Sequence, residues 1–492
     1  MRAVNIFVEP FEFINILDVR LSKGVNRHGE AVIRGVIAEG SEYEYKEMSL
    51  EDTDVKITAL DLEDNECVLL HGILEDLQIS TVNGLSVMEL RVLSKSRILD
   101  LMPQITVYQN TEMTYDELVR ATLAHFGGAE SFISVGDGKR IGQMFVQYQE
   151  TAWEFLVRMA SMCNDVVVPN DVLPGIKLYF GFHRKPVKNE LPLNPISYEV
   201  KRATGRYADK RQHSVSGFRE ADAVYYVVKD REIRQMGEAV EFLDRKLWIT
   251  NIESEFDGFD LVHKYTLMNE IGTMTIPKRN HKIIGASLTG HVGNVQGINV
   301  KTILNHAHSN NMDNVKWHPF SSVYSSTDGT GLYAMANVGD EVRLHFPTDV
   351  EDAGYTISSV HTPRTMPSPP PEVSDENIPD METANNQQIE NQVKDCELPV
   401  IAYSPTQKVQ FGPNHVFMQN GEMFVLFDDS EGLIIKSDAR VLINAGGSVT
   451  ISSGEGDIAV AGGESVNLVQ GGAGVTLEGE EFVASGAKVL IE

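Results

Sequence analysis

Two histidines of this sequence stand at a spacing that suits a metal ion. His306 and His308 are separated by a single residue, and His318 follows nearby. An H-x-H pair on a strand places both imidazoles on one face, an arrangement that metal sites often use. No neighbouring cysteine and no close pattern of Asp or Glu completes a ligand set, and surface histidines in a loop are the alternative. The sequence therefore predicts no metal site and no cofactor. If a metal ion were bound, these three histidines would be the best candidate ligands.

Catalytic motifs of fixed spacing are missing from the sequence. It contains no G-x-S-x-G, no H-E-x-x-H, no G-x-x-x-x-G-K-[ST] and no G-x-G-x-x-G. Glu480 and Glu481 could be imagined as the paired carboxylates of a glycosidase. With 70 acidic residues in the chain, however, such pairs arise by coincidence, and a solvated surface is the simpler explanation. We therefore expect no catalytic residues and no cofactor-binding residues, and a protein that is not an enzyme.

A basic cluster interrupts an otherwise acidic chain, and its members are Lys201, Arg202, Arg206, Lys210 and Arg211. A nucleic-acid site would need interleaved aromatic residues, and only Tyr207 offers one. It would also need a basic surround, whereas the formal charge of the chain is −28. The cluster predicts a solvated loop or a contact with an acidic neighbouring protein, and no nucleic-acid partner.

Composition also bounds the cellular setting. Cys67, Cys163 and Cys396 lie far apart, which argues against a disulfide scaffold and fits synthesis in a reducing cytoplasm. Glu9 and Glu12 interrupt the stretch in which a signal peptide would need unbroken apolar residues. The sequence contains no run of about 18 apolar residues, so no transmembrane helix is expected. We expect assembly in the cytoplasm without a cleaved signal.

The elements that would position these residues are mainly β, and 492 residues are enough for three or four modules. Residues 1–105 alternate apolar and polar side chains in short runs, with a hairpin signal at Asn83-Gly84. Residues 186–278 return to the same pattern. Residues 279–362 form a compact all-β stretch with Gly-rich turns, which fits a small barrel of the OB type.

Between the first two β segments, residues 106–185 predict an α/β insertion with two capped helices. Thr114 with Glu117, and Thr151 with Glu154, each form a capping box ahead of an apolar run. Gly127 supplies the stop of the first helix, and the second ends near Asn164. One face of the second helix is apolar and predicts core rather than a cofactor site; its members are Trp153, Leu156, Val157 and Ala160.

Residues 363–397 are rich in Pro and acidic residues and predict an extended linker. Residues 398–492 then resume short strands and become periodic, with Gly in nearly every gap. The repeat consists of apolar-x-apolar pairs, which are Leu433 and Ile435, Val441 and Ile443, Val449 and Ile451, Ile458 and Val460, Val466 and Leu468, Val475 and Leu477, and Val489 and Ile491. The first six pairs recur every eight or nine residues.

Such a repeat constrains the assembly. Each short strand offers one row of Val, Ile or Leu, and glycine permits the sharp turns between strands. One chain cannot bury this row or protect its edges alone, whereas several copies wound about one axis can. We predict an intertwined trimeric β-spike. A single-chain parallel β-helix is the rival, although this segment would give only about three coils. A disordered Gly-rich tail does not explain the regular spacing.

Two motifs resemble those of VgrG-type spike proteins and phage baseplate hubs. The first matches a "QY-x-ET-x-x-x-F-L-x-R" signature at Gln147, Tyr148, Glu150, Thr151, Phe155, Leu156 and Arg158. The second matches a G-D-E-V strand near the end of the OB barrel at Gly339, Asp340, Glu341 and Val342. The order of the predicted modules is also that of the family, so the resemblance covers nearly the whole chain.

The resemblance implies a mainly β protein with two hub β-barrels, a small α/β insertion, an OB-type barrel and a C-terminal trimeric β-helix or β-prism spike. It implies a homotrimer at the tip of a contractile injection system, which adapts the tail tube to a spike that punctures the target envelope. Type VI secretion, phage tails and phage-tail-like particles all remain open. A tail-associated cell-wall hydrolase that uses the spike for placement is the alternative function.

The partners implied by the resemblance are the tail tube protein and baseplate proteins, with an effector as cargo. Residues 416–492 contain no His and no Cys, so a histidine-bound tip iron is not expected. A separate tip protein of the PAAR class is expected instead. The protein would be made in the bacterial cytoplasm and ejected on contraction, and it would touch the target membrane only on firing.

Overall fold

The computed structural model of the chain describes residues 5–48, 53–61, 63–185, 193, 195–213, 215, 217–308, 314–321, 324–325, 331–332, 336–357, 400–404, 407–411 and 414–488. The chain divides into two compact units, Met1–Pro370 and Pro371–Glu492. The predicted linker 363–397 lies outside the described residues, as do Val489 and Ile491. Within the described part, every helix is too short or too polar to span a bilayer.

The strands are β1 Ile6–Glu9, β2 Asn15–Gly24, β3 Arg27–Val36, β4 Asp54–Leu60, β5 Glu66–Val82, β6 Leu85–Ser94, β7 Gln104–Tyr108, β8 Glu130–Ile133, β9 Phe145–Glu150, β10 Val167–Pro169, β11 Lys177–Phe180, β12 Ser197–Arg202, β13 Val224–Asp230, β14 Ala239–Phe242, β15 Arg245–Phe256, β16 Leu261–Met268, β17 Ser287–Gln296, β18 Asn299–Leu304, β19 His318–Pro319, β20 Tyr324–Ser325, β21 Gly331–Leu332, β22 Glu341–His345, β23 Tyr355–Ile357, β24 Val400–Ser404, β25 Gln407–Phe411, β26 His415–Asn420, β27 Met423–Asp428, β28 Gly432–Lys436, β29 Ser465–Gln470, β30 Ala473–Glu478 and β31 Glu481–Ser485. The helices are α1 Ser41–Glu47, α2 Tyr115–Leu123, α3 Ala152–Met162 and α4 Thr204–Gln212.

One antiparallel sheet runs through both predicted hub segments. Its strand order is β1-β4-β5-β6-β3-β2-β15-β16-β13-β12, and β14 pairs with β15. The two segments meet where β2 pairs with β15, with Val19 opposite Phe256. The first predicted segment, 1–105, and the third, 186–278, therefore share a sheet, while their boundaries as separate domains stay a prediction.

Side-chain alternation explains why these residues form a half-buried sheet. Along β16 the side chains of Leu261, His263, Tyr265 and Leu267 are buried, and the intervening ones are partly exposed. The hairpin between β5 and β6 turns at Asn83 and Gly84, as predicted, with φ of 54° and 78°. Positive φ at both positions matches the right-handed twist of the flanking strands.

The segment predicted as an insertion, 106–185 and called the insertion below, contains both predicted helices. Thr114 and Thr151 each cap a helix by accepting from the backbone N–H of the Glu three residues later, and each Glu bonds back. Helix α2 ends at Leu123, before the predicted stop at Gly127. The predicted apolar face of α3 lies in the core of the insertion, with its members Trp153, Leu156, Val157 and Ala160 buried.

The stretch predicted as an OB barrel is a five-stranded antiparallel sheet in the order β19-β18-β17-β22-β23. Its two ends approach each other through a bridge between Phe320 and Thr356, which nearly closes the sheet into a barrel. We call this five-stranded sheet, with the segments that connect its strands, the near-barrel. The OB assignment itself stays a prediction. Val107 and Val146 of the insertion share one apolar cluster with Leu288 and Leu344 of this sheet.

The second compact unit contains two antiparallel meanders. Strands β24 to β28 pair in sequence order around a small core that contains Phe417, Phe424 and Leu426. Strands β29 to β31 form a second meander. Residues 437–464, which lie between the two meanders, form no strand.

Candidate functional site

The first family motif builds the turn from β9 into α3. Gln147 is buried, and its Nε2 donates to the Glu150 carbonyl at 3.0 Å. Thr151 follows as the cap of α3, and its hydroxyl also donates to Asp100 Oδ1 at 2.5 Å. Phe155 is fully buried in the core of the insertion. The motif residues thus fix the direction in which α3 leaves the strand.

Arg158 is the centre of the motif. Its Nε donates to both oxygens of Glu150, at 2.8 and 3.1 Å, and its Nη2 donates to Glu150 Oε2 and to the Val146 carbonyl at 2.8 Å each. The remaining nitrogen, Nη1, donates to Glu351 Oε1 at 2.9 Å. Every nitrogen of the guanidinium has a partner, although the side chain is buried, as a planar fork permits.

Glu351 lies in the one-turn helix Glu351–Ala353 of the predicted OB segment. Its neighbour Asp352 accepts from the Met144 backbone N–H at 3.1 Å and pairs with Lys316 at 2.6 Å. Burial raises the pKa of Glu150, and the Arg158 charge opposes that rise. This buried network joins the insertion to the near-barrel, so it is a structural joint rather than a reaction centre.

The second motif also has a backbone role. Gly339 adopts φ of 97°, where a side chain would be strained, and its N–H donates to the Val292 carbonyl at 2.8 Å. Asp340 accepts from the Asn337 N–H at 2.7 Å, which closes the turn. Glu341 begins β22, and Val342 is fully buried. The motif therefore directs the chain into the central region of the near-barrel.

The three candidate histidines have different surroundings. The His306 carbonyl and the His308 N–H form hydrogen bonds of 2.9 and 2.8 Å with Val107 of β7, so this segment pairs with the insertion. The His306 and His308 side chains are exposed. His318 is buried, and burial lowers its pKa to about 4. No group of three His, Cys, Asp or Glu in the described part of the chain could hold a metal.

A Ser–His–Asp set that the sequence did not indicate lies between the first β segment and the insertion. The Ser96 Oγ lies 2.8 Å from His28 Nδ1, and His28 Nε2 lies 3.4 Å from Asp100 Oδ2. Ser96 is only 2% exposed, and its hydroxyl also contacts Ser94 Oγ at 2.8 Å. A nucleophile needs access to its substrate, so this set is a buried polar network rather than a hydrolase site.

The apolar pairs of the repeat lie on the surface of the single chain. Ten of the twelve described members are between 44% and 72% exposed: Leu433, Ile435, Val441, Ile443, Val449, Ile451, Ile458, Val460, Leu468 and Leu477. Val466 and Val475 are partly buried. A soluble chain rarely leaves so regular an apolar row uncovered, and such a row marks an interaction surface.

The backbone of the repeat is also without partners in part of its length. Residues 437–464 form no backbone-to-backbone hydrogen bond with any other residue that the structure describes. Side chains satisfy a few groups locally, as where Ser437 Oγ accepts from the Ala439 N–H at 3.3 Å. The sequence predicted short strands for the pairs in this stretch, and the single chain instead leaves them unpaired.

Eight consecutive strands of the large sheet run in the order β5-β6-β3-β2-β15-β16-β13-β12, and the outer strand at each end has an exposed edge. Strand β4 pairs with β5 only as far as Ile73, so among described residues the second half of β5 pairs with β6 alone. Glu75 and Asp76 begin this half and are exposed. At the other end, all six side chains of β12 are exposed, and β12 ends with Lys201 and Arg202.

The predicted basic cluster is not a loop. Lys201 and Arg202 lie on β12, while Arg206, Lys210 and Arg211 lie on α4. Strand β12 pairs with β13, which explains why the segment is ordered despite its charge. Lys210 is buried and donates to the Gly272 carbonyl at 3.0 Å, and burial lowers its pKa to about 8.

No protein-family model matches the chain, and no curated protein matches it. Solved structures do. The E. coli c3393 protein is described as a type VI secretion component with structural similarity to the T4 bacteriophage tail proteins gp27 and gp5. It superposes with a TM-score of 0.51 at 12% identity, covering 72% of this chain and 99% of that one. The chain has a VgrG-type fold.

Two structures of the Francisella PdpA–VgrG complex extend this finding. The lidless form matches with a TM-score of 0.51 and 8% identity, over 88% of this chain and 98% of that one. The lidded form matches with a TM-score of 0.52 and 8% identity, over 88% of this chain and 80% of that one. The VgrG-type fold confirms what the two motifs predicted, and at these identities it establishes the fold alone.

Proposed function

We propose that the protein is the hub and spike of a contractile injection system, assembled as a homotrimer. The observation that carries this proposal is the repeat, whose apolar pairs are exposed and whose backbone at 437–464 forms no backbone-to-backbone hydrogen bond within the described chain. Both deficits are removed when three copies wind together, because each strand then finds neighbours and each apolar row is covered. The VgrG-type fold supports the same arrangement.

The edges of the large sheet support a trimeric hub. Seven antiparallel pairings separate β5 from β12, so the two strands run in opposite directions. A second copy placed with its β5 beside β12 would therefore continue the antiparallel pattern. The two edges carry opposite exposed charges, Glu75 and Asp76 on β5 and Lys201 and Arg202 on β12, so such a contact would be electrostatically favourable. Head-to-tail contacts of this kind form rings when the rotation closes.

One end of the large sheet offers a surface for the tail tube. The turn that carries Phe259, the start of β2 beside Ile14 and the start of β6 at Leu85 lie at the same end, as the strand registers require. These side chains are 81%, 70% and 53% exposed. Such apolar residues at one rim suit a stable contact with another protein ring. We assign this end to the tube protein.

At the spike, puncture of a target envelope would be mechanical work driven by contraction elsewhere in the machine. A PAAR-type protein would cap the tip, and an effector would travel with the spike. The Francisella complex, which contains PdpA and VgrG, supports the idea that such a fold carries partners. The protein would be made in the bacterial cytoplasm and leave the cell when the machine fires.

No observation favours the hydrolase alternative. The Ser96 set is buried, and the described residues contain no group suited to a metal. We infer that this chain positions the spike and pierces the target envelope, and that any catalytic activity belongs to its cargo.

The proposal is tested by measuring the mass of the purified protein by light scattering. We expect three times the chain mass of 54.6 kDa, and a chain ending at residue 430 should form a weaker trimer. Coexpression with the tube protein encoded nearby should give a complex of the two. A stable monomer at all concentrations would refute the trimer, and release of soluble fragments from peptidoglycan by the pure protein would favour the hydrolase.

A further inference from the structure

Two adjoining clefts meet at the turn between β2 and β3. The first has a volume of about 470 Å³ and lies between this turn and α4. Arg206 and Lys210 of α4 line it, Arg27 joins them from the distant turn after β2, and Asp209 is the one carboxylate in its lining. Asn26 lines this cleft and also the second one, so the two share a wall.

The second cleft lies between the same turn, α3 and the segment that leads into the near-barrel, and it has a volume of about 440 Å³. Lys278, Arg279 and Lys282 line it, together with Arg158 and the carboxylates of Glu150 and Glu154. Lys282 contacts Glu154 at 3.5 Å and donates to the Gln149 carbonyl at 2.7 Å. We call the two clefts together the Asn26 basic groove, defined by Arg27, Arg206, Lys210, Lys278, Arg279 and Lys282.

Most of these cations have no carboxylate partner. Within the described part of the chain, Arg27, Arg206, Lys278 and Arg279 form no ion pair. The nearest polar contact of the Arg206 guanidinium is Met268 Sδ at 3.6 Å. The chain holds 70 acidic residues against 42 basic ones, so neutralising partners are abundant elsewhere on its surface. A groove that keeps several unpaired cations in such a chain is suited to an anionic ligand.

The lining favours a protein segment as that ligand. Val25 and Ile276 give the first cleft apolar lining, and Thr250 and Thr266 give it polar lining. This mixture fits a peptide that carries both carboxylates and apolar residues. Nucleic acid fits poorly, because the net charge of −28 repels a phosphate backbone and Tyr225 is the one aromatic residue lining the first cleft.

We infer that the Asn26 basic groove binds an acidic, partly apolar segment of a neighbouring protein. The groove lies at the end of the large sheet opposite Phe259, so its partner would differ from the protein that contacts that end. The inference stands apart from the trimeric spike, since all lining residues belong to the first compact unit.

The test uses the full-length protein and a short fluorescein-labelled peptide of alternating Glu and Leu, followed by fluorescence anisotropy. We expect saturable binding that weakens with added salt, because the contacts are ionic. The Arg27→Glu and Arg206→Glu double variant should bind at least about tenfold more weakly, since each change removes a cation and adds a repelling charge. Arg279→Glu should weaken binding in the same direction.

The matched control is Arg343→Glu, which reverses an exposed charge on β22 away from the groove and should bind the peptide like the unchanged protein. Thermal melting of each variant verifies that the fold is intact. Equal binding of a peptide with Gln in place of Glu would overturn the inference. So would unchanged binding by the groove variants, or tighter binding of single-stranded DNA than of the acidic peptide.

Discussion

Arg158 Nη1 and Glu351 Oε1 lie 2.9 Å apart in a buried ion pair, although 193 positions separate the two residues in the chain. The pair joins α3 of the insertion to the one-turn helix at the end of the near-barrel. Glu150, on the strand that precedes α3, forms a second ion pair with Arg158. One guanidinium thus holds three parts of the first compact unit in a fixed relationship.

Replacing Arg158 by Leu should destabilise this unit by roughly 3–5 kcal/mol, because Glu150 and Glu351 would remain buried without a partner. Thermal melting of the unit measures the loss. The control Arg120→Leu removes an exposed pair with Asp116 and should cost less than about 1 kcal/mol. Replacing all three network residues by apolar ones should restore much of the stability, and equal losses in the single and triple variants would contradict this account.

The spike should depend on the inward row of the repeat. The double change Val449→Asp and Ile451→Asp should raise the concentration at which monomer and trimer are equally populated by at least about tenfold, because carboxylates would be buried in the assembly. Analytical ultracentrifugation measures this shift. Thr450 would lie on the opposite side of the strand predicted for the assembled spike, so Thr450→Asp should have little effect. Equal effects of both changes would argue against the intertwined spike.

The proposed contact between sheet edges can be captured chemically. In a chain whose three native cysteines are replaced by Ser, with Asp76→Cys and Lys201→Cys added, a bismaleimide should link neighbouring copies into covalent trimers visible on a denaturing gel. Each single variant should give at most a background of dimers. If light scattering shows a trimer but the double variant forms no covalent ladder, the spike account survives and the edge pairing is wrong.

Acid should weaken the fold through two buried histidines. Burial lowers the pKa of His263 and of His318 to about 4, from an ordinary value of 6.5. Between these values the unfolded chain binds protons that the folded chain does not, so stability falls as pH drops from 6.5 towards 4. His318→Leu should reduce the drop in melting temperature over this range. His125→Leu, at an exposed position, should leave the drop unchanged, and an unchanged drop in His318→Leu would exclude this role.

The local elements of this fold could be predicted because their causes are local. The capping boxes at Thr114 and Thr151 predict helix starts. Asn83-Gly84 predicts a hairpin because both residues tolerate positive φ. The end of α2 was missed because the chain leaves the helix at Ala124, before any glycine. Propensity marks where a helix can end, while tertiary packing decides where it does.

The joint and the groove could not be predicted, because their parts come together only through tertiary registers. The family motif singles out Arg158 in the sequence. Glu351, in contrast, lies in an acidic run whose composition is typical of a solvated surface. Arg27 and Arg279 likewise meet the basic cluster only because the turn after β2 lies beside α4 and α3. A buried arginine on an apolar helix face signals that some carboxylate must approach, without saying which one.

The unpartnered stretch 437–464 has a consequence for the life of the protein before assembly. A newly made copy displays an apolar ladder and free backbone groups, which are the features that chaperones and proteases recognise in unfinished proteins. In the proposed trimer, winding with two other copies would hide these features together. Under that proposal, surplus copies would remain substrates for removal while completed spikes would not, so protein quality control would limit how many unassembled copies persist.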